Sequence, residues 1–516
     1  MKIIFSLQLF FILPFFSLSQ KIEWGDFSPY KGNTIDIIQN KNTFYTLRNR
    51  KNFIFNNTYL SNFTDFDQVY CEKLKNKIGN KSANIIGFEI IDEQPIIILV
   101  DDYQSKNILY LQKLNSKGLP AGPVTEIMQY QIPNNWFNKG IYNFEIANNK
   151  KFIFCYYLIE YEKGKRSEIG YKVIDDEFKL LNQGVLNFEH DSESIYDYNF
   201  KISNSGQLFL LKKIKKNNSK TFFSSYNESF NIELHEIKND SLKSIPINLN
   251  KLNLTDIKIE CNNNQLSIAG LYSNEESNIK VLGTYFLNYS LINKKIINEG
   301  KTSFDPDFII QNWSERAKKR ALEMVTKGKE APALYDYYLK GLIPMKDSSV
   351  IFLLEQYYIN SFNYTDPRTG FITTRYIYHY NDIIVGKILN DNKISWMKMI
   401  PKNQTSENDG GYYSSFSYFK SENQLKLYFN DAATNYDKSG IYKEKSEFVL
   451  FSKLRKILAT VEIDLNTGEL KRFDSKYITS RFEFTIPRIF ANNINTNTFI
   501  LFIRKGKKEK FGIIKY

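Results

Sequence analysis

The chain has 516 residues, 42% hydrophobic and 16% aromatic, with three cysteines and a formal net charge of +13. That composition excludes a disordered chain, and it excludes a disulfide-dense scaffold because Cys71, Cys155 and Cys261 allow at most one internal bridge. The positive balance is spread through a sequence rich in lysine, asparagine and isoleucine. Its local clusters (Lys212, Lys213, Lys215 and Lys216; Arg504, Lys505, Lys507, Lys508 and Lys510) read as strand ends and turn tips, so no nucleic-acid partner is expected.

At the N-terminus, Lys2 precedes an apolar run from Ile3 to Phe16, and Ser17 and Ser19 place small residues ahead of Gln20. This is the layout of a secretory signal peptide over residues 1–19. A membrane anchor would need about 20 apolar residues, and Pro14 interrupts this run. The mature chain, 20–516, is therefore expected to be exported, to the periplasm, cell surface or exterior, with no transmembrane segment. Cys155 lies within Phe152-Ile153-Phe154-Cys155-Tyr156-Tyr157 and reads as a buried, inert thiol.

Along the mature chain one unit recurs: a short alternating strand, a polar turn rich in Asn, Asp or Gly, and a more apolar second strand. In order, the first strands are Thr34 to Ile38, Ile85 to Ile91, Tyr142 to Ile146, Tyr198 to Ile202, Ile257 to Ile259, Tyr338 to Ile343, Ser415 to Phe419 and Ile486 to Phe490. The second strands begin at Phe44, Ile96, Phe152, Leu208, Leu266, Val350, Leu425 and Thr498. Alternation plus turn chemistry predicts a β-hairpin in each case. Third strands follow (Ile108 to Leu111, Ile169 to Ile174, Ile232 to Ile237, Val281 to Leu287, Ile383 to Ile388), with weaker fourth strands at Val124 to Ile127 and Ser395 to Ile400.

Repeated antiparallel units of up to four strands are the plan of a β-propeller blade. Eight units leave about 58 residues each and seven about 67, against about 40–50 in ordinary blades. The expectation is an all-β propeller of eight blades, with seven possible, forming a single domain. Two β-sandwich domains are the main competitor, but no linker or composition break divides the chain. From Asp305 to Tyr337 the pattern turns helical, with Phe308, Ile309, Trp313, Ala317, Ala321, Leu322 and Val325 in a stripe. Asp305 or Asp307 would cap its start and Gly328 its end. This is an expected helical insertion between the fifth and sixth units, lying across one face of the disc.

Catalytic motifs are sparse. The sequence holds no phosphate-cradling loop, GxSxG elbow or HExxH, and only three histidines, His190, His235 and His379. No metal site and no cofactor are expected. Asp464-Leu465-Asn466-Thr467-Gly468-Glu469 opens like a calcium loop, but the twelfth position, which needs a bidentate Glu, is Ser475, and Phe473 before it is no ligand either, so it reads as a hairpin turn.

The stretches Leu353 to Tyr358, Tyr380 to Val385, Trp396 to Gln404 and Asn408 to Phe416 resemble a family of uncharacterised exported proteins of Gram-negative bacteria with propeller-like repeats. The resemblance covers the C-terminal half and implies fold and location without an activity. The same region holds the candidate binding residues: Glu355, Tyr357, Arg375, His379, Asp382, Trp396, Lys398, Gln404 and Asp409. Trp396 and the tyrosines offer stacking faces, and the others offer polar ones. Glu355 follows a buried strand and would be costly unpaired. The expected function is a secreted or surface-attached binding or scaffold protein that engages protein or glycan. The alternatives are a carbohydrate-active enzyme with paired carboxylates in the central funnel, and a structural component of the cell envelope. Enzymatic activity is left open, with the lack of motifs weighing against it.

Overall fold

The computed structural model describes residues 22–515 apart from 31, 42, 52–55, 76, 103–105, 133–140, 159–165, 192–194, 216–229, 239, 250–251, 263, 274–278, 328–331, 444–448, 451–455, 479, 481 and 494–496. The signal-peptide segment, the side chain of His190 and the helix stop at Gly328 lie outside the described residues.

Among the described residues there are eight sheets of four or more strands, antiparallel apart from one short pair. Sheets 1 to 7 span 33–73, 84–131, 141–191, 195–245, 253–303, 337–407 and 416–474, and Val449–Leu450 adds to sheet 6 in parallel with Gln404 and Thr405. Sheet 8 joins Glu483–Thr485, Ala491–Asn493, Thr498–Lys505 and Lys508–Lys515 to Ile22–Trp24 from the other end of the chain. There Ile22 lies opposite Ile514 and Trp24 opposite Gly512, so the first described strand supplies the outermost strand of the last sheet.

The core divides into layers between successive sheets. Phe209 and Leu211 pack with Ile268 and Leu287 of sheet 5, while Leu208 and Leu210 of the same strand pack with Phe154 and Val173 of sheet 3. Alternate side chains of a strand point to opposite faces, so a second strand with an apolar run, such as Leu208 to Leu211, serves two layers. Each fully buried Leu, Ile or Phe is worth about 1.5–3 kcal/mol relative to exposure, and no sheet can bury both faces alone. Sheets 6 and 7 share a further layer through Leu353, Val385, Leu427 and Val461. Phe44 and Phe63 of sheet 1 share a cluster with Phe502 and Phe511 of sheet 8. The layers therefore run from each sheet to the next and back to the first. The fold is an all-β propeller.

Three local features differ from the sequence reading. The first strand of sheet 8 is split, because Pro487 has no N–H for a ladder and starts a 3₁₀ turn, Pro487–Ile489. The insertion is two helices rather than one: α1, Pro306–Ile310, capped by Asp305, and α2, Glu315–Thr326, capped by Ser314. Ile309 and Ile310 are buried, whereas Leu322, Met324 and Val325 are exposed. Finally, the second and third strands of sheet 6 are far longer than their apolar runs, at Val350–Thr365 and Ile372–Ile388, 16 and 17 residues. They leave the disc as a two-stranded arm.

The arm and the helical insertion lie on the same face. Within each sheet the first strand ends in a tight turn, the second runs back, and the connection to the third leaves from the opposite face. The arm is such a second-to-third connection, and the helices connect a fourth strand to the next first strand. We call this the arm face and its opposite the turn face. Gln311 and Asn312 approach the Met399 sulfur at 4.0 and 3.0 Å, which roots the insertion against sheet 6 as well. No helix among the described residues is long and apolar enough to cross a membrane. All three cysteines are free thiols, and burial pushes Cys155 up to about 12, consistent with an inert group.

Candidate functional site

The candidate residues fall into separate environments. Glu355 is fully buried at the root of the arm. Its Oε1 accepts from Lys402 Nζ at 2.9 Å and its Oε2 from Ser415 Oγ at 2.7 Å, with Lys340 Nζ at 3.5 Å. Lys402 Nζ also donates to the Tyr380 carbonyl (2.9 Å) and Gln404 Oε1 (3.2 Å). Gln404 in turn accepts from Ser415 N–H and donates to the Asn430 carbonyl, and Asp382 Oδ1 accepts from Lys402 N–H at 3.0 Å. Burial lowers the Lys402 amine below the usual lysine value, with Glu355 opposing the shift. Burial likewise raises Asp382. The structure thus brings Glu355, Asp382 and Gln404 together around Lys402, clasping sheet 6 to sheet 7. With both oxygens engaged and the side chain fully buried, Glu355 is closed to a substrate in this arrangement.

Tyr357, Arg375 and His379 belong to the arm. Tyr357 lies 4.6 Å from the Tyr380 ring, and burial pushes its hydroxyl up to about 12. His379 stacks on Tyr358 at 4.4 Å, with its ring nitrogens 3.3 Å from Asn360 Nδ2 and Thr405 Oγ1. Burial lowers its pKa, so it is neutral at pH 7. Arg375 pairs with Glu407 at 3.3 Å and lies over the Tyr364 ring. Asp409 is exposed on a turn where Gly411, at φ +68°, passes so close to Tyr380 that a Cβ would meet the ring at 2.3 Å.

Trp396 and Lys398 lie on the outer strand Ile394–Ile400. Trp396 is buried in the seam with sheet 7, and its Nε1 donates to the Leu465 carbonyl at 3.3 Å. Its ring covers Gly468, the φ +71° position of the 464–469 turn. Asp464 closes that turn by accepting from the N–H groups of Asn466 and Thr467, which matches the hairpin reading. Among the described residues no cluster of three His, Cys, Asp or Glu side chains is placed to hold a metal.

The central channel holds residues that sequence reasoning did not single out. The first strands of sheets 1 to 5 carry Asp36, Glu89, Glu145, Asp197, Lys201, Asp256, Lys258 and Glu260. Lys201 Nζ lies 2.6 Å from Glu145 Oε1 and 3.6 Å from Glu260 Oε2, tying three sheets across the wall. Asp256 Oδ2 accepts from Leu339 N–H at 2.7 Å, linking sheet 5 to sheet 6. Charged residues in polar-looking first strands could have flagged this wall, since a strand buried only on its layer faces would not need them. Burial raises Asp36 to about 6, opposed by the Ile37 N–H and reinforced by Glu89. A carboxylate whose folded pKa lies above its unfolded value favours the folded state while protonated, and that advantage is lost as pH rises through the folded pKa. Asp36→Asn is therefore expected to raise the melting temperature at pH 7.5 and to leave it unchanged near pH 4, by calorimetry at both values.

On the turn face, asparagines stitch neighbouring tips: Asn40 Nδ2 to the Glu93 carbonyl (2.9 Å), Asn149 Nδ2 to the Asn204 carbonyl (2.9 Å), and Asn148 Nδ2 to the Cys261 carbonyl (2.7 Å). The last contact reaches from sheet 3 to sheet 5. Asn148 thereby lines two cavities of ≈ 490 and ≈ 530 Å³ at this mouth. None of Glu355, Asp382 and Asp409 lines either cavity.

No protein-family model matches the sequence, and no curated protein is similar to it. Solved structures to which the chain is similar include the Dos1 propeller (8% identity, TM-score 0.42, 94% of each chain covered). Others are the β-propeller domain of the Trilobed protease from Pyrococcus furiosus (7%, 0.38, 86% of this chain and 98% of that one) and the WD40 domain of SCAP from fission yeast (9%, 0.37, 95% and 98%). A prolyl endopeptidase also aligns over 93% of this chain at 7% identity and TM-score 0.38, and this chain spans 54% of that protein.

Proposed function

We propose that the chain is an exported binding or scaffold protein that engages a protein or glycan of the cell envelope through its arm face. The observation that carries this reading is the arm: a double strand rooted in the Glu355–Lys402 clasp, which holds Phe362, Tyr364, Phe371, Ile372 and Tyr376 in solvent. Aromatic side chains held on a regular scaffold give large contact area at low entropic cost. The engagement of Glu355 and Asp382 in the clasp also favours binding over chemistry at this place. Joining Asn360 to Ile377, which are paired across the arm, through an Asn-Gly turn removes the outer arm while keeping the root that Gln404–Glu407 covers. Co-purification from the native envelope is expected to lose its partners with this variant, while thermal unfolding stays that of the parent. Partners retained in full would refute the reading.

A second reading, a carbohydrate-active enzyme, is favoured by one observation: Asp36, pushed up by burial to about 6 with Glu89 reinforcing the shift, is a carboxyl on the channel wall that keeps its proton in mildly acidic solution. Its test is glycan cleavage by the parent chain that is lost in Asp36→Asn. No cleavage across envelope and plant polysaccharides would remove this reading.

A further inference from the structure

Three breaks in the sheet pattern converge at the root of the arm. The first strand of sheet 6, Tyr337–Pro344, is bulged at Lys340, between Leu339 and Gly341. The ladder between the second and third strands shifts register between Glu355 and Tyr357. The first strand of sheet 8 is interrupted by the Pro487–Ile489 turn, which carries Arg488. Bulges re-aim side chains and gather beside functional sites. Here the residues at all three breaks surround the ring of Tyr380. Lys340 Nζ lies 5.9 Å from its centroid, Arg488 Cζ 5.8 Å, and the Tyr357 ring 4.6 Å. Tyr338 meets Tyr357 edge-on at 6.3 Å and, at 39% exposed, carries the aromatic wall out to solvent. Positive charge is in excess at this place. Glu355 lies 3.5 Å from Lys340 but is already held by Lys402 at 2.9 Å. Arg488 is exposed, donates to the Gly411 carbonyl, and among the described residues pairs with no carboxylate.

We infer that this cluster binds an acidic sugar, a glycan residue that carries a carboxylate. The inference deepens the glycan reading above and rests on it. A guanidinium takes a carboxylate through two parallel hydrogen bonds, and Lys340 adds a point charge from the facing strand. Tyr338 and Tyr357 offer flat faces to the C–H side of a sugar ring and hydroxyls to its polar rim. Burial pushes Tyr357 up to about 12, so its hydroxyl keeps the proton it would donate. Cations, hydroxyls and aromatic faces, with no aliphatic side chain among these five residues, suit a sugar better than an acidic peptide. The Glu355–Lys402 clasp then has a second consequence. By neutralising each other in the core, the two leave Lys340 and Arg488 as the charges that a ligand meets.

Isothermal titration of the purified chain with oligogalacturonate, hyaluronan oligosaccharides and sialyllactose is expected to show binding of at least one. The methyl ester of that sugar, which keeps the ring and removes the charge, is expected not to bind. Arg488→Leu should weaken binding by about tenfold or more, the scale of one charge-assisted hydrogen bond, and Arg488→Lys should recover part of the loss. Tyr338→Ala should weaken it too, and all three variants should keep the parent's melting temperature. A chain of net charge +13 draws anions generally, so Lys151→Gln with Lys346→Gln, both exposed on the turn face, is the control and should leave affinity unchanged. No binding, equal binding of acid and ester, equal binding of a polyglutamate peptide, or an Arg488→Leu affinity equal to the parent's would each overturn the inference. The shortened-arm variant keeps these five residues, so its sugar titration should match the parent's whether or not envelope partners are lost. A parent that captures partners through the arm but binds no acidic sugar would sink this inference alone.

Discussion

Replacing Arg48 with methionine is expected to cost about 3–5 kcal/mol of unfolding free energy, the scale for breaking a buried ion pair from one side. Arg48 and Glu509 are each 1% exposed and paired across the seam where sheet 1 meets sheet 8. Once the guanidinium is gone, the Glu509 carboxylate keeps the Thr34 hydroxyl at 3.2 Å and the field of Arg504, opposite it in the ladder. Burial already raises its pKa, with Arg48 the first of the groups holding it down. The orphaned carboxylate is relieved by protonation, so the deficit should shrink as pH falls below its raised folded pKa and be full above it. Arg48→Met with Glu509→Met should recover most of the loss, since an apolar pair of similar volume removes both desolvation costs. Urea unfolding of the single and double variants measures the effect. Hydrogen exchange at Ile22 to Trp24 locates it, because those residues pair with the strand that carries Glu509.

Lys402→Met is expected to be destabilising to a similar extent, about 3–5 kcal/mol. The variant leaves Glu355 with Ser415 and the distant Lys340, and frees the Tyr380 carbonyl and Gln404 as well. Glu355→Gln should be milder, because a neutral amide oxygen still accepts from Lys402 while the carbonyl and Gln404 contacts persist. Adding Glu355→Gln to Lys402→Met should restore stability relative to Lys402→Met alone, a coupling that a double-mutant cycle measures directly. The same cycle bears on function. If the clasp only roots the arm, partner capture by Glu355→Gln tracks stability. A capture or turnover defect in a fully stable Glu355→Gln would instead mean that this carboxylate leaves the clasp to work.

Much of the candidate region was legible because residue types there are unusual for their place. A glutamate directly after Val350-Ile351-Phe352-Leu353-Leu354 has to be paired, and the structure pairs it. The partner was not legible: Lys402 lies 47 positions away in a stretch whose lysine looks like any other, and nothing local distinguishes a buried amine from a solvated one. The arm was also hidden. Its apolar alternation stops at Leu354 and resumes at Ile383 because the outer arm, Ile359 to Thr374, is solvated, and a pattern of burial cannot mark a strand that is not buried. Trp396 could be read from the sequence as a stacking face or as core, and only the packing of sheet 6 on sheet 7 decides for the core.

By itself, then, the sequence determined the kind of molecule: period-two alternation with Asn, Asp and Gly turns specifies hairpins, and second strands apolar on both faces require a neighbour on each side. These are local properties, set by side-chain direction and turn chemistry. Tertiary structure alone decided how the ring closes, which sheet supplies whose outer strand, and which charges face the channel. Those outcomes depend on pairings between residues hundreds of positions apart, such as Ile22 with Ile514 and Arg48 with Glu509. No short-range pattern encodes them, because each becomes favourable only after the layers between have packed.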